Sequence, residues 1–293
     1  MQKYILLAMV GMGLAAPALA QDDWRAESIA ALPDSGEMHL QMLVEGEPDG
    51  FMRLGWQRDE DAGLIRFYDR TMWASRQIYE TVEGSIDDRT AAPVDIDITF
   101  FQQTGILDVE ASEQGGGMVR RFTRPGADDQ SAPIETPVTD GMIMRGAAFF
   151  LSQTLPLEIG DSVTFDWFAP LGGSAATVTL TLADGGTIET LSGTHDTIRI
   201  EVRGGSPDND IYVTANDGVR EVVRIDVLGQ PMRFEAIPAL VPGALCLPLP
   251  SERVNRRVPD VNGAERFVIS DKTARNRSSV GNVAVPPSGP TDN

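Results

Sequence analysis

The sequence predicts a mostly β protein, an antiparallel sheet interrupted once by an apolar helix. Three observations carry this. Period-two alternation of apolar and polar residues recurs over residues 37–236, the mark of half-buried strands. The alternating runs are short and joined by Gly- and Asp-bearing turns, which suits hairpins rather than βαβ crossovers. Residues 140–153 are apolar almost all the way round, Arg145 excepted. A helix of that kind must be covered by a core, a partner or a ligand.

In chain order, Lys3, the apolar residues 4–16 and the small-x-small Ala18-Leu19-Ala20 read as an export signal over 1–20, cleaved before Gln21. The apolar run is short for a spanning helix, and Gln21 is not the Cys of a lipid-anchored precursor. The expectation is an exported, periplasmic or extracellular protein with no transmembrane segment after signal removal. Residues 22–31 suit a short helix stopped by Leu32-Pro33. Over 37–44, Met38, Leu40, Met42 and Val44 share a face; over 51–57, Met52, Leu54 and Trp56 do the same, with Asp49-Gly50 as the turn between them. Further strands are expected over 64–70, 75–82, 93–101, 105–111 and 118–124, with turns at 61–63, Glu83-Gly84 and 115–117. A loop over 125–137 leads to the helix.

After the helix, strands are expected over 162–169, 176–182, 186–191, 197–203, 210–215, 219–228 and 232–236, with turns at Asp184-Gly185, Asp217-Gly218 and Gly229-Gln230. The two strand sets can form one continuous sheet, giving a single β-rich domain over 21–252. Pro238, Pro242, Pro248 and Pro250 forbid helix and central strand over 237–250, so that stretch reads as an extended strap. Residues 253–293 are polar and read as a mostly disordered tail, with a marginal strand at 267–269.

The formal net charge is −19 and is unevenly spread: residues 253–293 carry +3, residues 21–252 carry −23. Such a body repels nucleic acid and anionic surfaces. Cys246 is the only cysteine, so no internal disulfide forms. One Cys with His39 and His195 makes no standard zinc spacing, and no cofactor is expected. His195-Asp196 looks like part of a triad, but strand neighbours point to opposite faces. Gly160-Asp161-Ser162 matches a serine-esterase nucleophile block, but no Asp-x-x-His follows it. Acidic clusters such as Asp95/Asp97 match no spaced calcium loop.

One ordered set of segments remains. Residues 141–151 precede Leu155-Pro156-Leu157 and Gly160-Asp161; a strand over 197–202 follows; the hairpin 211–225 carries Asp217-Gly218 and Val222-Val223-Arg224-Ile225. This order resembles a family of exported bacterial proteins of unknown function, over roughly residues 37–236. The fold of that family resembles the open β-barrel of periplasmic lipoprotein carriers. The resemblance implies a curved antiparallel sheet, an open or half barrel, with the helix lying across its apolar concave face. The carriers have several lid helices where this chain has one, and none of their functional residues transfers.

The expected function is therefore a non-enzymatic binding module for an apolar ligand: a lipid, an acyl chain or a lipidated protein. Ile143, Met144, Ala147, Phe150 and Leu151 on the helix would line the site, with Phe100, Phe101, Trp167 and Phe168 on facing strands. The same residues would equally serve as a dry core. The alternatives are an envelope interaction protein working through its acidic body and basic tail, and, more weakly, a carboxylate-based hydrolase.

Overall fold

The computed structural model describes residues 23–126, 131–171, 175–237, 256–259 and 265–268. The export signal, Cys246 and nearly all of the proline-bearing strap lie outside the described residues. The chain divides into two units, Met1–Ala239 and Leu240–Asn293. The second contributes two antiparallel strands, Arg256–Pro259 and Glu265–Val268, with Arg256 opposite Val268. The second of these overlaps the marginal strand expected at 267–269.

The first unit opens with helix α1 (Asp23–Ala31). Eight strands follow: β1 (Ser35–Val44), β2 (Glu47–Asp59), β3 (Leu64–Trp73), β4 (Ile78–Asp87), β5 (Pro93–Gln102), β6 (Gly105–Gln114), β7 (Gly117–Thr123) and β8 (Ile134–Pro137). Next come β9 (Ile143–Met144), helix α2 (Arg145–Leu151) and a 3-10 turn (Ser152–Thr154). Six strands complete the unit: β10 (Ser162–Phe168), β11 (Ala175–Thr190), β12 (Gly193–Arg203), β13 (Asn209–Thr214), β14 (Val222–Val227) and β15 (Met232–Ala236).

All fifteen strands belong to one sheet, in the order β8-β7-β6-β5-β4-β3-β2-β1-β15-β14-β13-β12-β11-β10-β9. Two meanders meet at the β1–β15 pair, where Met42 faces Phe234. Every neighbouring pair is antiparallel except β9–β10, which is parallel, so the sheet is mixed, mostly antiparallel and not closed into a barrel. Chain connectivity nevertheless forces it to curl. Fourteen strand spacings would set the edges of a flat sheet ~67 Å apart. Edge strands β8 and β9 are joined only by residues 138–142, a link that spans at most ~22 Å. Across the open seam, Arg120 on β7 donates to the Pro170 carbonyl at 2.9 Å, and Thr139 donates to Asp166 on β10 at 2.8 Å.

Three sequence expectations shift in register. The first hairpin turns at Glu45-Gly46, and Asp49-Gly50 lies inside β2, where the Asp49 carboxylate instead accepts from Trp73 Nε1 at 2.8 Å. Glu83-Gly84 is mid-strand rather than a turn, and β4 runs on to Asp87. Asp184-Gly185 is a bulge within the sixteen-residue β11, not the end of a hairpin. There the Asp184 carboxylate accepts the Gly186 N–H at 2.9 Å, and a Cβ on Gly185 would stand 2.4 Å from Thr197, so the chain kinks and continues. The expected loop over 125–137 also contributes edge strand β8.

The largest revision concerns the helix. Only Arg145–Leu151 is α-helical. Gly141 adopts φ +74, a left-handed turn that ends any helix on its N-terminal side. Ile143 and Met144 then pair with Trp167 and Phe168 along the edge of β10, and the chain tightens to 3-10 geometry after Leu151. Seven residues with no side-chain cap are too few to form a helix in isolation; packing holds α2 in place.

Candidate functional site

The inner face of the sheet is assembled row by row from paired strands. One row runs Leu182, Ile200, Ile211, Ile225, Phe234, Met42 across β11 to β15 and onto β1. All six are apolar and at most 4% exposed. Helix α2 lies over the β2–β3 part of this face. Phe150, fully buried, stacks on Trp56 at 5.5 Å and tilts against Phe67 at 5.8 Å. The fit is close: a Cβ on Gly146 would stand 2.9 Å from the Phe67 ring, and one on Gly84 2.7 Å.

Helix α1 closes one end of the concavity. Trp24 meets Phe165 on β10 at 5.4 Å, Arg25 donates to the Gly141 carbonyl at 2.8 Å, and Thr154 donates to the Ser28 carbonyl at 2.9 Å. Trp56 Nε1 donates to the Pro33 carbonyl at 3.0 Å just beyond the helix.

The far end of β3 to β7 is different. The row here runs Met52, Thr71, Glu80, Phe100, Leu107 across β2 to β6. From Thr71 onward each residue keeps intermediate exposure, as do Trp73 on β3, Phe122 on β7 and Phe149 on α2. One row deeper, Asp69 lies between Leu54 and Val82. Strand parity therefore turns both Asp69 and Glu80 inward, onto the face that also buries Ile65, Phe67, Val82 and Ile86. Arg145, the one charged residue of α2, lies with its guanidinium 5.7 Å from the Trp167 ring centroid and interacts electrostatically with Glu80 and Asp69.

The two carboxyl groups titrate abnormally. Burial raises Glu80 to about 7; the neighbouring Asp69 charge adds to the rise and Arg145 opposes it. Burial raises Asp69 to about 6, opposed by its hydrogen bond from Thr71 (2.8 Å) and by Arg70 and Arg145. Burial likewise holds Arg145 below its usual value, against the pull of Glu80 and Asp69. Chemically, a carboxyl group titrating near neutrality exchanges a proton readily or exchanges that proton for a cation.

A groove of about 330 Å³ opens at the rim of this end. Ser75, Arg76, Ile78, Gln102, Gln103 and Thr104 line it; Ile78 and Gln102 stand two residues along their strands from Glu80 and Phe100, and the Arg76 guanidinium lies 5.3 Å from the Trp73 ring centroid. A second recess of about 380 Å³ sits around the β2–β3 turn and is lined only by polar and charged residues, Gln57 to Asp61 and Arg66.

The structure sorts the expected site residues. Ile143, Met144, Ala147, Phe150 and Leu151 are all at most 1% exposed, and Trp167 and Phe168 at most 2%. These seven fill the space beneath and around α2. Phe100 lies on the half-open inner wall. Phe101 points the other way, stacking on Tyr79 at 5.9 Å on the outer face, because adjacent strand residues alternate. Asp69, Glu80 and Arg145 lie outside the expected set. The parity of Ile78, Glu80 and Val82 carries their signal, once β4 is extended through Glu83-Gly84.

Two motifs with catalytic overtones come apart. Ser162 pairs with Thr181 and His195 with Ile188 on the same strand, ~23 Å apart along it. His195 instead bonds Ser192 at 3.0 Å, and the Asp196 carboxylate accepts from Thr187 at 2.6 Å. Among the described residues no group of three or more His, Cys, Asp or Glu is placed to hold a metal ion, and no helix is long and apolar enough to cross a membrane.

No family model and no curated protein matches the chain. Among solved structures, it is similar to the crystal structure of a β-barrel-like protein of domain of unknown function DUF1849 from Brucella abortus. That likeness covers 71% of this chain and 96% of the other, at 11% identity and a TM-score of 0.41.

Proposed function

We propose that this chain is an exported, periplasmic binding module that takes an apolar or amphiphilic ligand, acting by binding rather than by catalysis. One observation carries the reading: on an otherwise filled concave face, Phe100, Leu107, Trp73 and Phe122 are only partly buried, toward the rim where a groove opens. Apolar side chains turned inward yet left partly uncovered are an unfinished core, and an apolar guest completes it. The expected site therefore moves. The side chains beneath α2 are scaffold, and the ligand lies along the β3–β7 wall.

Native mass spectrometry of the protein recovered from its own cell envelope tests this. The expected result is a bound lipid or acyl species at one per chain, displaced when Leu107 is replaced by Glu. Protein that arrives bare and takes up no lipid from added envelope extract refutes the reading.

A further inference from the structure

One cross-strand row on the outer face departs from the polar character of that side. Phe51 faces Met72, Met72 faces Tyr79, Tyr79 faces Phe101 and Phe101 faces Ile106, across β2 to β6. All five are apolar or aromatic, and each keeps partial exposure. The next outward row, two residues along each strand, is Arg53, Arg70, Thr81, Thr99 and Asp108. Arg53 pairs with Glu37 and Arg70 with Glu83, both at 2.6 Å, so the outer face is polar again from there. The apolar row is a narrow band at the end of the sheet where the groove opens.

The inner side of the same lip is apolar as well. Trp73 and Ile78, paired across β3 and β4, turn inward beside the outward Met72 and Tyr79. Phe100 and Leu107 turn inward beside the outward Phe101 and Ile106. Hairpin tips ordinarily carry polar turn residues on at least one face. Here residues 71–79 hold one charge, Arg76, and residues 98–107 hold none. Asp49, at this end of β2, is engaged locally: its carboxylate accepts from Trp73 Nε1 and from the Ser75 N–H, both at 2.8 Å. Arg76 lies over the Trp73 ring. Glu45 and Glu47 at the β1–β2 turn flank the lip on one side, and Arg124 after β7 flanks it on the other.

A lip that is apolar on both faces is fully covered only by a medium that surrounds it. A flat protein surface covers one face; a bilayer interface takes in both. The depth agrees: two residues along a strand advance ~7 Å, and interfacial apolar residues enter the headgroup and acyl boundary by ~5–10 Å. Charge narrows the choice of surface. Residues 21–252 carry −23, with Glu45 and Glu47 beside the lip, so a second copy meets like charge and an anionic bilayer repels the body. A zwitterionic bilayer does neither. We propose that the tips of the β3–β4 and β5–β6 hairpins dock this chain on a zwitterionic lipid surface. Met72, Tyr79, Phe101 and Ile106 enter from the outer face, Trp73 and Ile78 from the inner, and Arg76 at the tip offers a cation to the lipid phosphates. On the ligand-binding reading above, the mouth then opens onto the bilayer, and a guest enters without crossing water. The docking itself stands apart from that reading, because it rests on the outer row.

Flotation of the full chain with phosphatidylcholine vesicles tests the assignment. The protein is expected to float with the vesicles at low and high salt alike, because the contact is apolar. Phe101→Asp is expected to lose about tenfold in partitioning, since it replaces inserted apolar area by a charge. Ile159→Asp, at an apolar side chain 59% exposed elsewhere on the surface, is expected to partition as the unaltered protein does. Thermal melts certify that both variants fold. The conservative Phe101→Trp variant is expected to gain emission that brominated phosphatidylcholine quenches. Protein that fails to float, partitioning that Phe101→Asp leaves unaltered, an equal loss in Ile159→Asp, or unquenched emission from Phe101→Trp overturns the assignment. So does a dimer that Phe101→Asp dissociates without any vesicle binding, which gives the row to a second copy. Vesicle binding by a protein that takes up no apolar guest supports the docking lip and fails the ligand reading alone; guest uptake without vesicle binding does the reverse.

Discussion

The two halves of the sheet are built from the same alternation and finished differently. Across β11 to β15 the inward row is Leu, Ile, Ile, Ile, Phe, all at most 4% exposed. The matching row across β3 to β6 is Thr71, Glu80, Phe100, Leu107, each at intermediate exposure. The first half resembles a close-packed interior, where every methylene is held on all sides. The second is equally buried at Ile65, Phe67, Ile86, Ile96 and Val109, but its far end has the parity of a core without the composition or the full cover. The difference separates the part of the concave face that stabilises the fold from the part left free for something else.

Truncations test that contrast most strongly. Phe150→Ala removes the ring stacked on Trp56 and Phe67 and should cost about 3–5 kcal/mol. Ile211→Ala in the filled row should cost about 2–5 kcal/mol. Leu107→Ala, on the half-open wall, should cost only about 1 kcal/mol, since less contact is lost. Urea denaturation of the three variants measures all of this; equal costs for Ile211→Ala and Leu107→Ala would erase the distinction between the halves.

Acidity supplies the next largest effect. The unfolded chain releases these carboxyl protons near 3.8 and 4.5, whereas the folded protein keeps them to about 6 at Asp69 and about 7 at Glu80. Between those values the folded state binds more protons. These two groups therefore lower stability as pH rises from about 3.8 to about 7, after which their contribution is level. The drop should be on the order of 3 kcal/mol for the coupled pair. Glu80→Gln should remove most of the slope in thermal melts between pH 5 and 8.

Gly84→Val is expected to cost about 1–3 kcal/mol by overpacking: the added carbons meet the Phe67 ring and, at 3.0 Å, the Asp95 carbonyl. The smallest effect belongs to the outer face. Arg203, 2.6 Å from Asp210, is partly solvated, and Arg203→Ala should cost no more than about 1 kcal/mol.

Much of this architecture was legible in the chain, and the failures share a physical cause. Strands such as 37–44 and 197–203 stand out because one face is buried and the other solvated, so alternation records their environment directly. Asp184-Gly185 misled because turn chemistry also suits a bulge, and only the pairing of Ile188 with His195 distinguishes them. The central helix was read at fourteen residues because continuous apolarity marks burial without specifying geometry. Ile143 and Met144 satisfy that burial as an edge strand on β10 instead. Asp69 and Glu80 escaped notice because a charge within a strand ordinarily reports the solvent face. Their inward placement follows from sharing strand parity with the buried Phe67 and Val82.

On the proposed reading, the β3–β7 wall, and not the filled face opposite, receives an apolar guest. Titration with the uncharged fluorophore N-phenyl-1-naphthylamine tests it most directly. Saturable binding at one site per chain is expected, abolished by Phe100→Asp and retained in Phe101→Asp, whose side chain lies on the outer face. No saturable binding to the unaltered protein, or equal binding by the two variants, would contradict it.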